Sequence, residues 1–426
     1  MEYFEFLNKS VTPYHTVEAL KALFDAKCGK NARFFERGGA LIAVRVPKQI
    51  CSDSQFRIAL AHTDFPTLKI TPNPDAAAAG VRTLHPEIYG SPLFTSWLDR
   101  DLGYAGLLAY ELDGKLETKL IRGDKLFRIP QLAVHLNRGV NQDGLKVNPQ
   151  TDLNALWTAV GGKERFVEAL QAELPAGAKL LDFDVQLFDA QPAQFGGFEN
   201  EWIYSGRLDN LSSCHAIAEA FAAAGALEKD FQVAAFFNNE EVGSETREGA
   251  AGNFLKSVLE NVAMSAALDS STSLRSAQND KSLSSLVCSE LASVLSSSFA
   301  LSIDMAHACH PNFVQKHESN HAPVLGGGVV LKVNSQKRYA SDVFSNARFK
   351  LLCEQSNIPY QTFVMRNDMP CGSTVGPAIS ASLGIPTVDI GEPMLSMHSI
   401  REMTAVADHE KMTKLVSALY GSSNLP

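Results

Sequence analysis

The chain has 426 residues, of which 45% are hydrophobic and 20% charged, with a formal net charge of −9. That length points to two or three domains, and the balance is that of a soluble globular enzyme. An acidic chain gives no support to nucleic-acid or membrane-surface binding, so any preference for an acidic substrate has to come from a local cation. The N-terminus MEYFEFLNKSVTPYH carries no apolar leader core, and no apolar run reaches the ~18 residues that a membrane span needs. Seven cysteines, Cys28, Cys51, Cys214, Cys288, Cys309, Cys353 and Cys371, are scattered and never spaced as CxxC. This favours a reducing, cytoplasmic setting and disfavours a thiolate metal site.

In chain order, residues 55–61 (QFRIALA) read as a buried strand running into His62. From 82 to 204 the pattern changes to short runs such as KLETKLIRGDKLF and RIPQLAVHL, with a helical pattern only near 153–173. This stretch reads as a mostly β insertion. Residues 207–224 read as a loop and then a helix with Leu211, Cys214, Ile217, Ala218 and Phe221 on one face. Further buried strands are expected at 231–237, 298–303 and 385–390, and a Ser-rich run covers 282–299. The expected architecture is α/β: a mixed, largely parallel sheet flanked by helices, formed by residues 1–81 plus 205–426 and interrupted by an inserted domain at 82–204. In each case the polar residues of interest sit at or just beyond the C-terminal end of an apolar run, where open parallel sheets place their sites.

Five polar constellations occupy those ends: AHTDF with His62 and Asp64, RLDN with Asp209, NNEEVGS with Glu240 and Glu241, SIDMAH with Asp304, and SMHS with His398. As ligands they offer two imidazoles and three carboxylates, with a carboxylate left over, which is the inventory of a two-metal hydrolase. Singly each is weak, because an Asp ahead of a helix is ordinarily an N-cap and a Glu pair is ordinarily solvated. As a set they have distinct roles. The two oxygens of Asp209 can bridge metals roughly 3.5–4 Å apart, with Glu241 on one of them and Asp304 and His398 completing the spheres. Glu240 serves as general base. Asp64, two residues after His62 on the same face of an extended chain, sits beside the imidazole to orient it.

One motif competes. HESNH at 317–321 matches the HExxH zinc pattern, but that pattern needs a helix, and QKHESNHAPVLGGG brings Pro323 and three glycines with almost no apolar periodicity. The run Gly326–Gly328 lacks the Lys-Ser/Thr of a phosphate loop and reads as a turn.

The strings AHTDFPTLKI, SWLDRDLGYAG, IPQLAVHLNR, RLDNLSSC, NNEEVGSE, DMAHACHPNF, KHESNHAP, VLKVNSQKRYASD, RNDMPCGSTVGP and MHSIREM, in order from near residue 60 to near 405, resemble the aspartyl aminopeptidase family of co-catalytic dizinc peptidases, in a bacterial member. The resemblance implies an α/β catalytic domain made of both chain ends, an inserted dimerisation domain, and a homo-oligomer built from dimers, as large as a tetrahedral dodecamer. It places two Zn2+ ions, replaceable by Co2+ or Mn2+, on His62, Asp209, Glu241, Asp304 and His398, with Glu240 as base. It implies that His135 reaches a neighbouring subunit's site, as a substrate or transition-state contact, with zinc ligation as the alternative. It also points to Lys332 and Tyr339 for substrate contact and to His307 and His310 near the pocket. The sequence departs from the family in reading NNEE where many relatives have DNEE or DHEE, which leaves the ligands intact and bears on substrate preference. The expected activity is release of an N-terminal Asp or Glu from peptides. A dizinc aminopeptidase of broader or neutral specificity, or a dizinc amidase or deacetylase of N-acyl amino acids, would share the ligands.

Overall fold

The computed structural model describes residues 1–28, 32–51, 53–159, 165–270 and 293–422. Cys288, residues 160–164 of the helical pattern at 153–173, and the part of the Ser-rich run before 293 lie outside the described residues.

Four parallel strands, Phe231–Phe237, Phe56–His62, Phe299–Ile303 and Thr387–Gly391, lie side by side at the centre of an eight-stranded sheet. The antiparallel hairpin Ala32–Arg37 and Ala40–Arg45 extends it on one side. On the other, Val329–Val333 runs antiparallel to Thr387–Gly391 and parallel to Tyr360–Val364. The sheet is therefore mixed with a parallel centre, as the apolar runs predict. Every residue of Phe56–His62 and Phe231–Phe237 is buried. Alternation explains why: Ala59 and Ala61 point into one core with the helices Pro13–Lys27, Leu208–Ala223 and Val406–Gly421, whereas Phe56, Ile58 and Leu60 point into the other with Phe254–Ser270 and Val375–Leu383. The helix Leu208–Ala223 is buried on nearly all sides rather than along a single stripe.

A second, antiparallel sheet of six strands contains Lys115–Arg122, Leu102–Leu112, Lys179–Asp189, Thr67–Ala78, Val81–Tyr89 and Ala155–Ala159. Its limits differ from the expected 82 and 204. Near 82 the chain makes a tight hairpin through left-handed Ala79 and Gly80, which joins Thr67–Ala78 to Val81–Tyr89 within one sheet. After 189, Gln194–Gly196 and Trp202–Ser205 enter a third, five-stranded sheet with Glu402–Ala405, Pro393–Leu395 and Ala306–His307. The helical pattern at 153–173 is also corrected: Ala155–Ala159 is a strand paired with Val81–Tyr89, and among the described residues of that range the helix is Phe166–Ala172. Cross-strand pairing overrides the local pattern there.

Candidate metal centre

Parallel pairing brings the strand ends to one edge of the sheet. His62 is the last residue of its strand and stands opposite Phe237, so the turn Glu240–Val242 begins just above it. That turn is closed by left-handed residues on both sides, Asn239 at φ 64° and Gly243 at φ 101°, the second a conformation that favours glycine. Asp304 follows Ile303 directly, and the chain crosses there so closely to Gly391 that a Cβ at 391 would lie 1.9 Å from the Asp304 carbonyl oxygen. Asp209 is not an N-cap. Its backbone is non-helical, no side chain caps that helix, and its carboxylate is buried in the site.

The carboxylate of Asp209 stands between two groups of donors. Its Oδ1 is 3.5 Å from His62 Nε2, which is 3.7 Å from Asp304 Oδ1. Its Oδ2 is 3.6 Å from His398 Nε2, which is 3.5 Å from Glu241 Oε2. Ligand atoms of His62, Asp209 and Glu241 also lie within 4.8 Å of one another, so the two groups adjoin. Glu240, Lys332, Tyr339 and His307 line the same cavity, about 550 Å³ in volume.

Asp64 is placed as expected but works differently. The imidazole Nδ1 of His62 lies 2.9 Å from the Asp64 backbone carbonyl and 3.5 Å from its carboxylate. That carboxylate instead accepts from the backbone N–H groups of Glu240 (3.1 Å) and Glu241 (3.0 Å) and from the Tyr89 hydroxyl (2.7 Å). It therefore sets the position of the whole acidic turn.

The electrostatics of the cluster are dominated by its buried carboxylates. Burial pushes Glu240 up to about 8, with Asp304, Asp64 and Asp209 adding to the effect against His62. Burial and Asp209 likewise push Glu241 well up. Burial alone would lower His398, yet Asp209 and Glu241 raise it to about 10. His62 is raised in the same way, against its burial, by Asp209, Asp304 and Asp64. The buried carboxylates thus outnumber the cationic groups that face them. Divalent cations fit the same place: the donors are two imidazoles and three carboxylates, and Asp209 Oδ1 is buried without a hydrogen-bond partner.

The chain matches the family Aminopeptidase I zinc metalloprotease (M18) over residues 6–420 and belongs to it. It is a hydrolase of the aminopeptidase class, and the family is the aspartyl aminopeptidase family that the motifs resemble. A "Probable M18 family aminopeptidase 2" of Streptomyces avermitilis is 41% identical, covering 95% of this chain and 93% of that one. Among solved structures, "Cryo-EM structure of the Ape4 and Nbr1 complex" aligns with TM-score 0.88 at 30% identity, covering 98% of this chain and 84% of that one. "Structure of S. cerevesiae mApe1 dodecamer" aligns with TM-score 0.79 at 26% identity, covering 98% and 94%.

Other residues singled out from sequence fare unevenly. Lysines are ordinarily solvated, but Lys332 is only 3% exposed, with Nζ 3.4 Å from Asp304 Oδ2 and 5.5 Å from the centre of the Tyr339 ring. His307 is half-buried in the site wall and lowered to about 4, mainly by desolvation. His310 is outside this cavity, in a neighbouring one shared with His317. The HExxH residues form no helix: His317 accepts from the His310 backbone, and His321 pairs with Glu318. His135 lies on an exposed turn and does not line the cavity of its own chain. Sequence reasoning gave no part to Tyr89 or Glu402. Glu402 lies within the quoted MHSIREM string, and its contacts depend on strand pairing that spacing alone does not reveal.

Proposed function

We propose that this chain is a dizinc aminopeptidase that releases N-terminal Asp or Glu from peptides. The observation that carries the two-ion reading is the carboxylate of Asp209, whose oxygens face separate donor groups, His62 with Asp304 and His398 with Glu241. Zinc bound by these residues supplies a Lewis acid that lowers the pKa of water and polarises a carbonyl. The remaining chemistry belongs to side chains. Glu240 stands in the cavity beside His62 and Asp209, where it takes a proton from the attacking water and returns it to the leaving amine. Lys332, buried against Tyr339, is the local cation for an acidic side chain, which the net charge of the chain could not provide.

The same reading makes the six-stranded sheet unit, from Thr67 to Asp189, the dimerisation unit expected at 82–204, and puts His135 in a neighbouring subunit's site. Support comes from the exposure of Leu132, Val134 and Leu136 around His135, and from the dodecamer described for the S. cerevesiae relative. The six cysteines among the described residues are all unpaired, which supports a cytoplasmic location.

The test is hydrolysis of aspartyl, glutamyl, leucyl and lysyl chromogenic amides by wild type and Glu240→Gln, each after chelation and zinc re-addition. Acidic-selective turnover that zinc restores and the variant lacks is the expected result. Equal turnover of leucyl and aspartyl amides would remove the acidic pocket and leave the metallo-aminopeptidase. Turnover of N-acyl amino acids alone would replace the reading with an amidase.

A further inference from the structure

We infer that Glu402 is a positioning residue that fixes the spacing of Asp209 and His398, and with it the affinity for the zinc on the His398 side. The inference rests on the reading of those two residues as ligands. Its starting point is a strand ladder that stops. Trp202–Ser205 and Glu402–Ala405 pair antiparallel, and the last rung joins Ser205 to Glu402. Beyond that rung the chain has two short excursions: Asp209 lies four residues after Ser205, and His398 lies four residues before Glu402.

Both excursions depart from regular backbone. Arg207 has φ 63° and His398 has φ 66°, left-handed values that residues with a side chain rarely adopt unless their surroundings hold them. Arg207 is held by its side chain on the Ser10 and Leu7 carbonyls and His398 by Leu93 and Ser91, and one carboxylate takes a backbone N–H from each excursion. Glu402 Oε2 accepts from the Asp209 backbone N–H at 3.1 Å, and Oε1 accepts from the His398 backbone N–H at 2.8 Å. Glu402 is 3% exposed, so these bonds are shielded from water. One planar, buried group thus sets the separation of two backbone segments whose side chains, 3.6 Å apart at Oδ2 and Nε2, point into the same half of the site. A carboxylate suits this task because each of its oxygens accepts. A carboxamide of the same shape accepts at one oxygen and turns an N–H against the other backbone N–H.

The experiment compares full-length wild type with Glu402→Gln in three readouts. Zinc affinity is measured by competition with a chromophoric chelator, kcat and KM are measured for an aspartyl amide over a range of free zinc, and amide hydrogen exchange is followed at Asp209 and His398. The expected result is loss of roughly 10–100-fold in affinity for one zinc equivalent, in line with other partners that orient metal ligands. The other equivalent, which shares only the Asp209 carboxylate, should weaken less, kcat should fall with little change in KM, and excess zinc should restore it. A merely structural role would not produce zinc rescue. Two unchanged zinc affinities in a folded variant would overturn the clamp. If the variant does not fold, wild-type exchange decides: slow exchange at both amides supports the clamp, and fast exchange at either overturns it. Wild type that takes up no zinc would overturn the zinc reading itself, a different failure from wild type and variant that each bind two equivalents alike.

Discussion

Phe56–His62, at the centre of the eight-stranded sheet, buries every residue, whereas Lys115–Arg122, at the edge of the six-stranded sheet, leaves five of its eight residues exposed. Helices cover both faces of the first sheet, so its strand ends are fixed from above and below, and the five proposed ligands sit at the end of a strand (His62), on the loops just beyond the strands, or beside the short third sheet. The second sheet contributes the Tyr89 hydroxyl to Asp64 and presents an apolar turn with His135 to its surroundings. A sheet closed on both faces can hold ligand atoms at fixed separation, and one with an open face is free to meet another surface. Substitutions in each region probe that division.

The largest effect belongs to the closed region. Replacing Asp209 with Asn leaves one acceptor where both donor groups need an oxygen, so zinc binding on both sides should weaken together. Turnover should fall on the order of 10³-fold or more. Metal content after dialysis and kcat check this, and a variant that loses only one equivalent would show that Asp209 does not bridge.

The next effect tests the open region. His135→Ala should keep its zinc and lose on the order of 10²-fold in kcat, the scale of one lost transition-state contact. Because His135 does not line its own cavity, subunits of His135→Ala mixed and reassembled with subunits of Glu240→Gln should regain part of the turnover. An absence of recovery, with both variants correctly assembled, would confine each site to its own chain and remove the catalytic part of the comparison.

A smaller and selective effect is expected at Lys332. Met preserves its length in the buried strand Val329–Val333 and removes the charge. Turnover of aspartyl amides, as kcat/KM, should drop about 10–100-fold, the scale of one charge-assisted hydrogen bond, with leucyl amides far less affected. An equal loss on both substrates would show that Lys332 serves Asp304, 3.4 Å away, rather than an acidic side chain.

How much of this was legible follows the same division. The central strands are continuous apolar runs with polar residues at their ends, so the strands can be read directly and His62, Asp209, Glu240, Glu241, Asp304 and His398 stand out as one candidate set, which the fold brings together. The HESNH segment could be set aside because its Pro and Gly neighbours forbid the required helix. The hairpin at Ala79 and Gly80 was hidden because an alanine run shows neither a period of two nor a period of 3.6. The burial of Lys332 was hidden because VVLKV does not show that the cation meets Asp304 and Tyr339. Asp64 illustrates the limit of spacing arguments: its proximity to His62 was predictable, whereas its grip on the Glu240 and Glu241 amides depends on a parallel neighbour 176 residues away.

Tyr89 is one of the places where the two regions touch, and it carries the smallest expected effect. Its hydroxyl donates to Asp64 Oδ2 at 2.7 Å and accepts from Asn239 Nδ2 at 2.9 Å, while Asn239 in turn accepts from Thr246. Burial and the Asp64 charge raise the phenol far above its ordinary pKa, so it is a donor throughout the working pH range. Tyr89→Phe would leave Asp64 with its backbone donors and Asn239 with an unpaired amide. The loss should be about 1.5–3 kcal/mol in unfolding free energy, the usual value of a hydrogen bond to a charged group. Because the Glu240 and Glu241 amides stay on Asp64, kcat should fall far less than in the three variants above, with zinc content intact. Denaturant unfolding and steady-state kinetics on the same preparation check both halves. If kcat falls as far as in His135→Ala while stability is unchanged, Tyr89 acts on the reaction and not only as a tether between the two sheets.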